Sequence, residues 1–306
     1  MSIWFHLLIL YSTWPCVWPF RICAFNAQHF GDKKVSSDNI FNIVVKIVQR
    51  CDIFLLQEVH DPKGNVVSKL MAALNRAEDV FLAVSSPPIG RKSYTEQYVF
   101  IYRSFRIRVT DQYKYEDDDP AAPDVFAREP YVIRFALESA ALKDLAIIPQ
   151  HTEPEKAHIE LDALYDVFMD VRRRWRCKNI ILMGDFNAGC KYLSKKRTKS
   201  LRLYTDPDVH WLISDRTDTT VKESTSCPYD RILVYGQELT NLVASAGIYN
   251  FTRELDLSEA EALKVSDHYP VEMDLNLVLD GCGTLLPSLT LLILSLSAAF
   301  DLWDLL

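Results

Sequence analysis

The chain has 306 residues, 49% of them hydrophobic and 25% charged, with a formal net charge of −7. That composition excludes a disordered polar chain and suits one large globular domain or two small ones. The negative balance excludes attraction to a polyanion through the overall field, so such a substrate would need a local basic surface, bound cations, or both.

Residues 1–20, MSIWFHLLILYSTWPCVWPF, are apolar, aromatic and uncharged, and too short for a comfortable membrane span. They read as a secretory signal over 1–19, although no basic stretch precedes the apolar run. A buried first strand is the alternative. FRICAFN (20–26) predicts a strand, and SSDNIFNIVVKIVQR (36–50) a helix with Phe41, Val44, Val45 and Val48 on one face. DIFLLQEV (52–59), YVFIYR (98–103), IRVTDQYKY (107–115), YVIRFAL (131–137) and LAIIP (145–149) predict strands joined by polar turns. A long helix over 155–175 follows, its stripe formed by Leu161, Leu164, Tyr165, Phe168 and Val171. Strands at 179–183, 230–236 and 270–277 complete the pattern. No repeat or interdomain linker interrupts it, so one domain is expected over 20–278, with helices covering outer faces of sheets.

The tail, 279–306, carries an uncharged run from Thr284 to Phe300 after Gly281, Cys282 and Gly283. It reads as a lipid-anchor addition signal or a retained membrane helix, and a terminal helix packed on the core is the alternative. Of the seven cysteines, Cys16 and Cys282 lie in these end segments, leaving five and so at least one free thiol. Cys23 and Cys51 sit in apolar surroundings and read as small buried hydrophobes. Cys190 and Cys227 lie in polar segments and are the pair best placed for a disulfide in a secretory compartment. The absence of C-x-x-C argues against a zinc site. Asn250-Phe-Thr252 is a glycosylation acceptor triplet.

Several strands end alike. The first ends at Asn26, the second in Gln57-Glu58, and in IILMGDFNAGC (180–190) four apolar residues are followed at once by Gly184, Asp185, Phe186 and Asn187. His151 follows the strand 145–149, and SDHYP brings Asp267 and His268 to the start of the last strand. One such residue is ordinarily a turn former. Five strand ends bearing amides, carboxylates and histidines instead point to a ligand site at one edge of an α/β core.

GDFN, QE at a strand end and SDHYP resemble the signatures of the endonuclease/exonuclease/phosphatase superfamily. RICAFNAQHFG, GRKSYTEQY, FAREP, LYDVFMDV, MGDFNAGC and CPYDRI narrow the resemblance to the deoxyribonuclease I family, from about Phe20 to Leu277, and the apolar tail suits a tail-bearing member. The resemblance implies a four-layer α/β/β/α sandwich of two packed mixed sheets and a divalent-metal-dependent DNA endonuclease. Cleaving a phosphodiester with water requires a base, an acid and positive charge on the phosphoryl oxygens. The resemblance assigns His151 with Glu96 as acid and His268 with Asp230 as base. It assigns Glu58, Asn26 and Asp267 to Mg²⁺ (or Mn²⁺), Asp185 to orienting the site, and Asn187, Tyr94 and Arg128 to substrate. It also implies a structural Ca²⁺ at Asp218, Thr220 and Thr225, the acidic loop 115–124 being a second place for Ca²⁺ or simply solvated. Gln28 and His60 stand where pancreatic-type members carry arginine, which should weaken duplex binding. Arg172–Arg174 and KKRTKSLR (195–202) either compensate or form a solvated face. VSSPPIGR (84–91) differs where the pancreatic enzyme meets actin, so tight actin binding is not expected, and a monomer is. A phospholipid or phosphoinositide phosphodiesterase of the same superfamily is the alternative activity, and a non-catalytic binding protein the third.

Overall fold

The computed structural model describes residues 17–76, 80–91, 94–117, 124–139 and 141–278. The segment read as a signal up to residue 16 and the whole apolar tail lie outside the described residues. Twelve strands are described: β1 (Val17–Phe30), β2 (Ile53–Val59), β3 (Phe81–Ser85), β4 (Gln97–Arg103), β5 (Ile107–Lys114) and β6 (Tyr131–Leu137). Then come β7 (Asp144–Pro149), β8 (Ile180–Asp185), β9 (Val209–Trp211), β10 (Asp230–Tyr235), β11 (Val243–Ile248) and β12 (Val271–Val278). They form two mixed six-stranded sheets, ordered β11-β12-β1-β2-β4-β3 and β5-β6-β7-β8-β10-β9.

Alternation of side chains along each strand explains the layers. In β1 and β2, Ile22, Ala24, Ile53 and Leu55 join a core between the sheets, with Phe135, Ile147, Ile181, Met183 and Met273. Their neighbours Cys23, Phe25, Phe54 and Leu56 point the other way, onto helices carrying Phe41, Val44, Ile47, Leu70 and Leu74. Across the molecule, Ile180 and Leu182 of β8 face Leu161, Leu164, Phe168 and Val171 of the helix Ala157–Trp175. Three apolar interfaces therefore separate four layers, helix–sheet–sheet–helix. Central strands are covered on both faces, so IFLL and IILM read as continuous apolar runs.

The helix expected over 36–50 spans Asp38–Val48, and the long helix Ala157–Trp175 is preceded by a 3₁₀ turn, Pro154–Lys156. The helices Asn65–Leu74 and Glu259–Val265 and the strands β3, β9 and β11 were not anticipated. β1 starts at Val17, and Val17–Pro19 pair with Asn276–Val278, so the strand runs into the segment read as a signal. Cys23 and Cys51 are not the small hydrophobes that their surroundings implied. They are bonded to each other, because the parallel β1–β2 register, with Cys23 opposite Phe54, brings Cys51, two residues before β2, within reach. Cys190 is bonded to Cys227, and Cys177 is a buried free thiol.

The Cys23–Cys51 bond spans a sequence separation of 28, which in the chain-entropy description is worth roughly 3–4 kcal/mol. Cys51→Ser should therefore lower the denaturant midpoint and, by letting the unfolded chain expand, raise the slope. An unchanged midpoint would mean that the bond adds nothing to stability.

Candidate active site

The edge where β1, β2, β7 and β8 end is also where β4, β10 and β12 begin. β1 runs parallel to β2 and β7 parallel to β8, while β10 returns antiparallel with Asp230 opposite Asp185. Polar residues from 32 to 240 positions apart thereby meet.

Asp185 is the meeting point. Its N–H donates to Gln57 Oε1 of the other sheet (2.9 Å), and Oδ1 accepts from Asn187 N–H (3.0 Å). Oδ2 accepts from Asn26 Nδ2 at 3.2 Å and stands 3.6 Å from both His151 Nε2 and His268 Nε2. Gly184 permits this crossing. Its φ is +134°, and a Cβ there would lie 2.4 Å from Gln150 O and 2.6 Å from Gln57 Nε2. Strand geometry ends at Asp185, and Asn187 adopts φ +46°, with Nδ2 donating to Thr152 O at 3.2 Å. The two-residue spacing of GDFN is thus a turn closed by the aspartate's own oxygen, not a continued strand face.

Two histidine–carboxylate pairs flank Asp185. His151 Nδ1 lies 2.7 Å from Glu96 Oε1, and His151 N–H donates to Tyr98 Oη at 2.8 Å. His268 Nδ1 lies 2.7 Å from Asp230 Oδ2, while its backbone N–H donates to Ser266 Oγ at 3.0 Å. Each carboxylate holds the Nδ1 proton and leaves Nε2 turned toward Asp185. Burial alone would depress the His151 ring, but the charge and hydrogen bond of Glu96, aided by Asp185, raise its pKa overall. His268 follows the same balance and rises well above an ordinary histidine, because Asp230, Asp185 and Asp267 outweigh its burial. Burial opposes ionisation of Glu96, yet His151 and Arg128 bring it down to about 2. Arg128 Nε is 2.9 Å from Glu96 Oε2, and its guanidinium lies 5.5 Å over the half-exposed Tyr94 ring.

At the other pole, Asn26 Nδ2 donates to Glu58 Oε1 (3.0 Å) as well as to Asp185. A single amide nitrogen therefore sits between two carboxylates, the place a hard cation with oxygen ligands would take. The residues fit such an ion: Glu58 Oε1 and Asp185 Oδ2 converge, whereas Asn26 Oδ1 is engaged by Gln28 N–H at 2.9 Å. Asp267 Oδ1 lies 4.0 Å from His268 Nε2. Lys34 donates to Ala27 O and Val265 O at 2.7 and 2.6 Å; burial lowers it to about 8 against the pull of Asp267 and Glu58.

The remaining sequence-derived positions are local. Asp218 Oδ1 accepts from Thr220 N–H, Thr220 Oγ1 and Cys227 N–H, and Thr220 Oγ1 is 3.0 Å from Thr225 O. Those three residues are gathered by their own hydrogen bonds. Asn250 caps the short helix Phe251–Glu254 through Oδ1. Arg202 is held by Asp162 and Asp166, and Arg172 stacks over Phe168 and Tyr235. Arg172–Arg174 end a helix whose start faces the site, roughly 24 Å away at ~1.5 Å per residue. Gln57 is read in the sequence only as a strand-end neighbour of Glu58, and Tyr98, Thr219 and Ser266, which also hold the site from behind, are missed. A lone buried polar residue in a strand carries no chemical signal by itself.

The profile of the Endonuclease/Exonuclease/phosphatase family matches residues 23–268. The chain belongs to that family. Its likeness to deoxyribonuclease gamma of Rattus norvegicus is 48% identity over 260 residues, 83% of this chain and 84% of the relative. It is 46% identical to deoxyribonuclease-1-like 1 of Homo sapiens over 260 residues, covering 84% of this chain and 85% of the relative. The two values place the chain in the deoxyribonuclease I branch without separating these relatives. Among solved structures, a family member from Bacteroides thetaiotaomicron superposes with a TM-score of 0.58 at 15% identity, covering 86% of this chain and 99% of that one. The shared feature is the two-sheet sandwich.

Behind His151, Gln150 Nε2 and Glu153 N–H both donate to the fully buried Glu160, at 3.0 Å each. Burial pushes Glu160 up to about 7, against the backbone hydrogen bonds from Glu153 and Ala127. A raised carboxyl favours folding while protonated, so this stability is complete below the free value of 4.5 and is lost as pH rises through about 7. Compared with Glu160→Gln, the native chain should lose on the order of 3 kcal/mol across that window. Unfolding free energies that run parallel with pH in the two proteins would contradict this.

Proposed function

We propose that the chain is a DNA endonuclease that hydrolyses phosphodiester bonds with Mg²⁺ or Mn²⁺. The observation that carries this reading is the pair of imidazole Nε2 atoms, each 3.6 Å from one Asp185 oxygen and each backed by a buried carboxylate. His268, oriented by Asp230, accepts the proton of the attacking water. His151, oriented by Glu96, donates a proton to the departing sugar oxygen. Asp185 keeps both rings aimed at the same point, and Asn187, Tyr94 and Arg128 engage the nucleic-acid backbone beside it. A divalent cation held by Glu58, with Asn26 turned to offer its oxygen in place of its nitrogen, would supply positive charge to the phosphoryl oxygens and offset nearby carboxylates. The carboxylates around His268 favour its protonated ring, so it serves as base only once part of that negative charge is neutralised. DNA as substrate is supported by the names of the relatives at 46–48% identity.

His151→Ala and His268→Ala should each slow plasmid nicking by about 10²–10⁴-fold, the usual worth of a positioned proton-transfer group. Near-normal nicking by either folded variant removes that residue from its role. The same assay run beside a phospholipid substrate, with and without Mg²⁺, decides the substrate class. Phospholipid turnover without nicking would reverse it.

The Asp218–Thr220–Thr225 loop is the proposed Ca²⁺ position, where hydroxyl, carboxylate and carbonyl oxygens are the appropriate hard donors. Two disulfides suit passage through the secretory pathway. The described residues contain no helix long and apolar enough to cross a membrane. Membrane attachment is assigned instead to the apolar run Thr284–Phe300, which follows the last strand of the domain. A chain stopped after Val278 should fold, nick DNA and be secreted, while the full chain stays with membranes. Release by phospholipase indicates a lipid anchor and retention a spanning helix. Aggregation of the shortened chain would mean that the tail packs on the core.

A further inference from the structure

The two oxygens of Glu58 face different surroundings. Oε1 is bonded by Asn26 on the catalytic side, whereas Oε2 accepts His29 N–H at 2.9 Å and lies 3.5 Å from His29 Nδ1. His60, the residue after β2, places Nε2 3.3 Å from the same His29 Nδ1. Donor atoms of all three side chains fall within 4.8 Å of one another. Tetrahedral zinc, with bonds of about 2.0–2.1 Å to imidazole, holds its ligand atoms about 3.3–3.4 Å apart. The separations of 3.3 and 3.5 Å are close to two edges of that tetrahedron. Tyr94 packs edge-on against both imidazoles, with ring centres 5.3 Å from His60 and 6.2 Å from His29, which restrains their rotation. The His29 side chain is 66% exposed, so an ion can enter from solvent and keep an open coordination position.

We propose that His29, His60 and the outer oxygen of Glu58 form a site for a borderline transition-metal ion of the Zn²⁺ class, and that its occupancy slows cleavage. Two imidazoles with one carboxylate suit Zn²⁺, Cu²⁺ or Ni²⁺, whereas Mg²⁺ favours oxygen ligands and an octahedral shell. The site is separate from the hard-cation position on Oε1 but draws on the same carboxylate. An ion at Oε2 withdraws charge and orientation from Oε1. That effect on cleavage, unlike the binding itself, rests on the proposed role of Glu58. The site contains no cysteine, so the missing C-x-x-C says nothing against it, and its histidines are 31 residues apart.

The test uses the full chain, stripped of metal and titrated with Zn²⁺, and with Co²⁺ as a coloured substitute, in excess Mg²⁺. Binding that Mg²⁺ does not displace is expected, with the visible absorption of tetrahedral Co²⁺. His29→Ala and His60→Ala should each weaken it by more than the roughly 10- to 100-fold that loss of an outer-shell partner costs. Both residues lie at the surface, and circular dichroism checks folding. Zn²⁺ should slow nicking by the native chain far more than by either variant, each scored against its own Mg²⁺ rate. Equal Zn²⁺ binding in native and variant chains, displacement by Mg²⁺, or no binding at all overturns the site, the last leaving a proton-bridged imidazole pair only. Binding without inhibition overturns the regulatory half. Absence of nicking by the native chain counts against the proposed function and leaves the titration result standing.

Discussion

The carboxylate of Asp185 is the constraint on which the site depends. It is bonded from its own loop by Asn187, its backbone is bonded from the opposite sheet by Gln57, and Asn26 of β1 reaches across to its second oxygen. That oxygen is the point toward which both histidines turn. The two sheets are separate hydrogen-bonded units, so apolar packing alone would leave their relative slide loosely specified. Polar contacts at this edge fix it to within a hydrogen-bond length, the precision proton transfer requires. The cost is a cluster of buried or half-buried carboxylates (Glu58, Glu96, Asp185, Asp230 and Asp267), against which Arg128, Lys34 and Arg231 set positive charge. Such a pocket is held together by the rigid sandwich beneath it and is predisposed to take up cations.

The sequence disclosed the central strands because they are covered on both faces and read as uninterrupted apolar runs. Their ends were legible for the complementary reason: nothing in packing explains why IILM should be followed by Asp and Asn, or LAIIP by Gln-His. Edge elements were harder to see. β3 and β11 have one exposed flank, and VASAGI carries small residues with no clear alternation. The helix Glu259–Val265 did carry a local sign, since Ser258 and Glu261 form a reciprocal capping box. Asn65–Leu74 likewise buries Val66, Leu70 and Leu74 at helical spacing. Both patterns were present but short, and short amphipathic stretches do not distinguish themselves from turns until tertiary packing selects them.

The pairing of Cys23 with Cys51 illustrates a different limit. Burial of both residues was readable from their neighbours, but their chemistry depends on which strands lie side by side, and that is a property of register. The same holds for Gln57 and Tyr98, buried polar residues whose partners, Asp185 and His151, lie 128 and 53 positions away. His29 and His60 belong to this class too. The resemblance to a known family drew attention to His60 only as the lack of an arginine, whereas three dimensions place it against another histidine.

Backbone conformation links that lack to what replaces it. Gln28, His29 and Glu58 all have positive φ, between +44° and +56°, and they lie where the register between β1 and β2 shifts beyond Asn26. Non-glycine residues hold this conformation only when their surroundings compensate for it. Here the compensation is specific: the bend turns His29 N–H onto Glu58 Oε2 and Gln28 N–H onto Asn26 Oδ1, so two strained turns lock the orientations of two catalytic-side residues. The bulge that sets the inner face of Glu58 also sets its outer face. Any group that alters the His29 side of this turn acts on the same carboxylate that faces Asn26, and the two sides of the site are mechanically one.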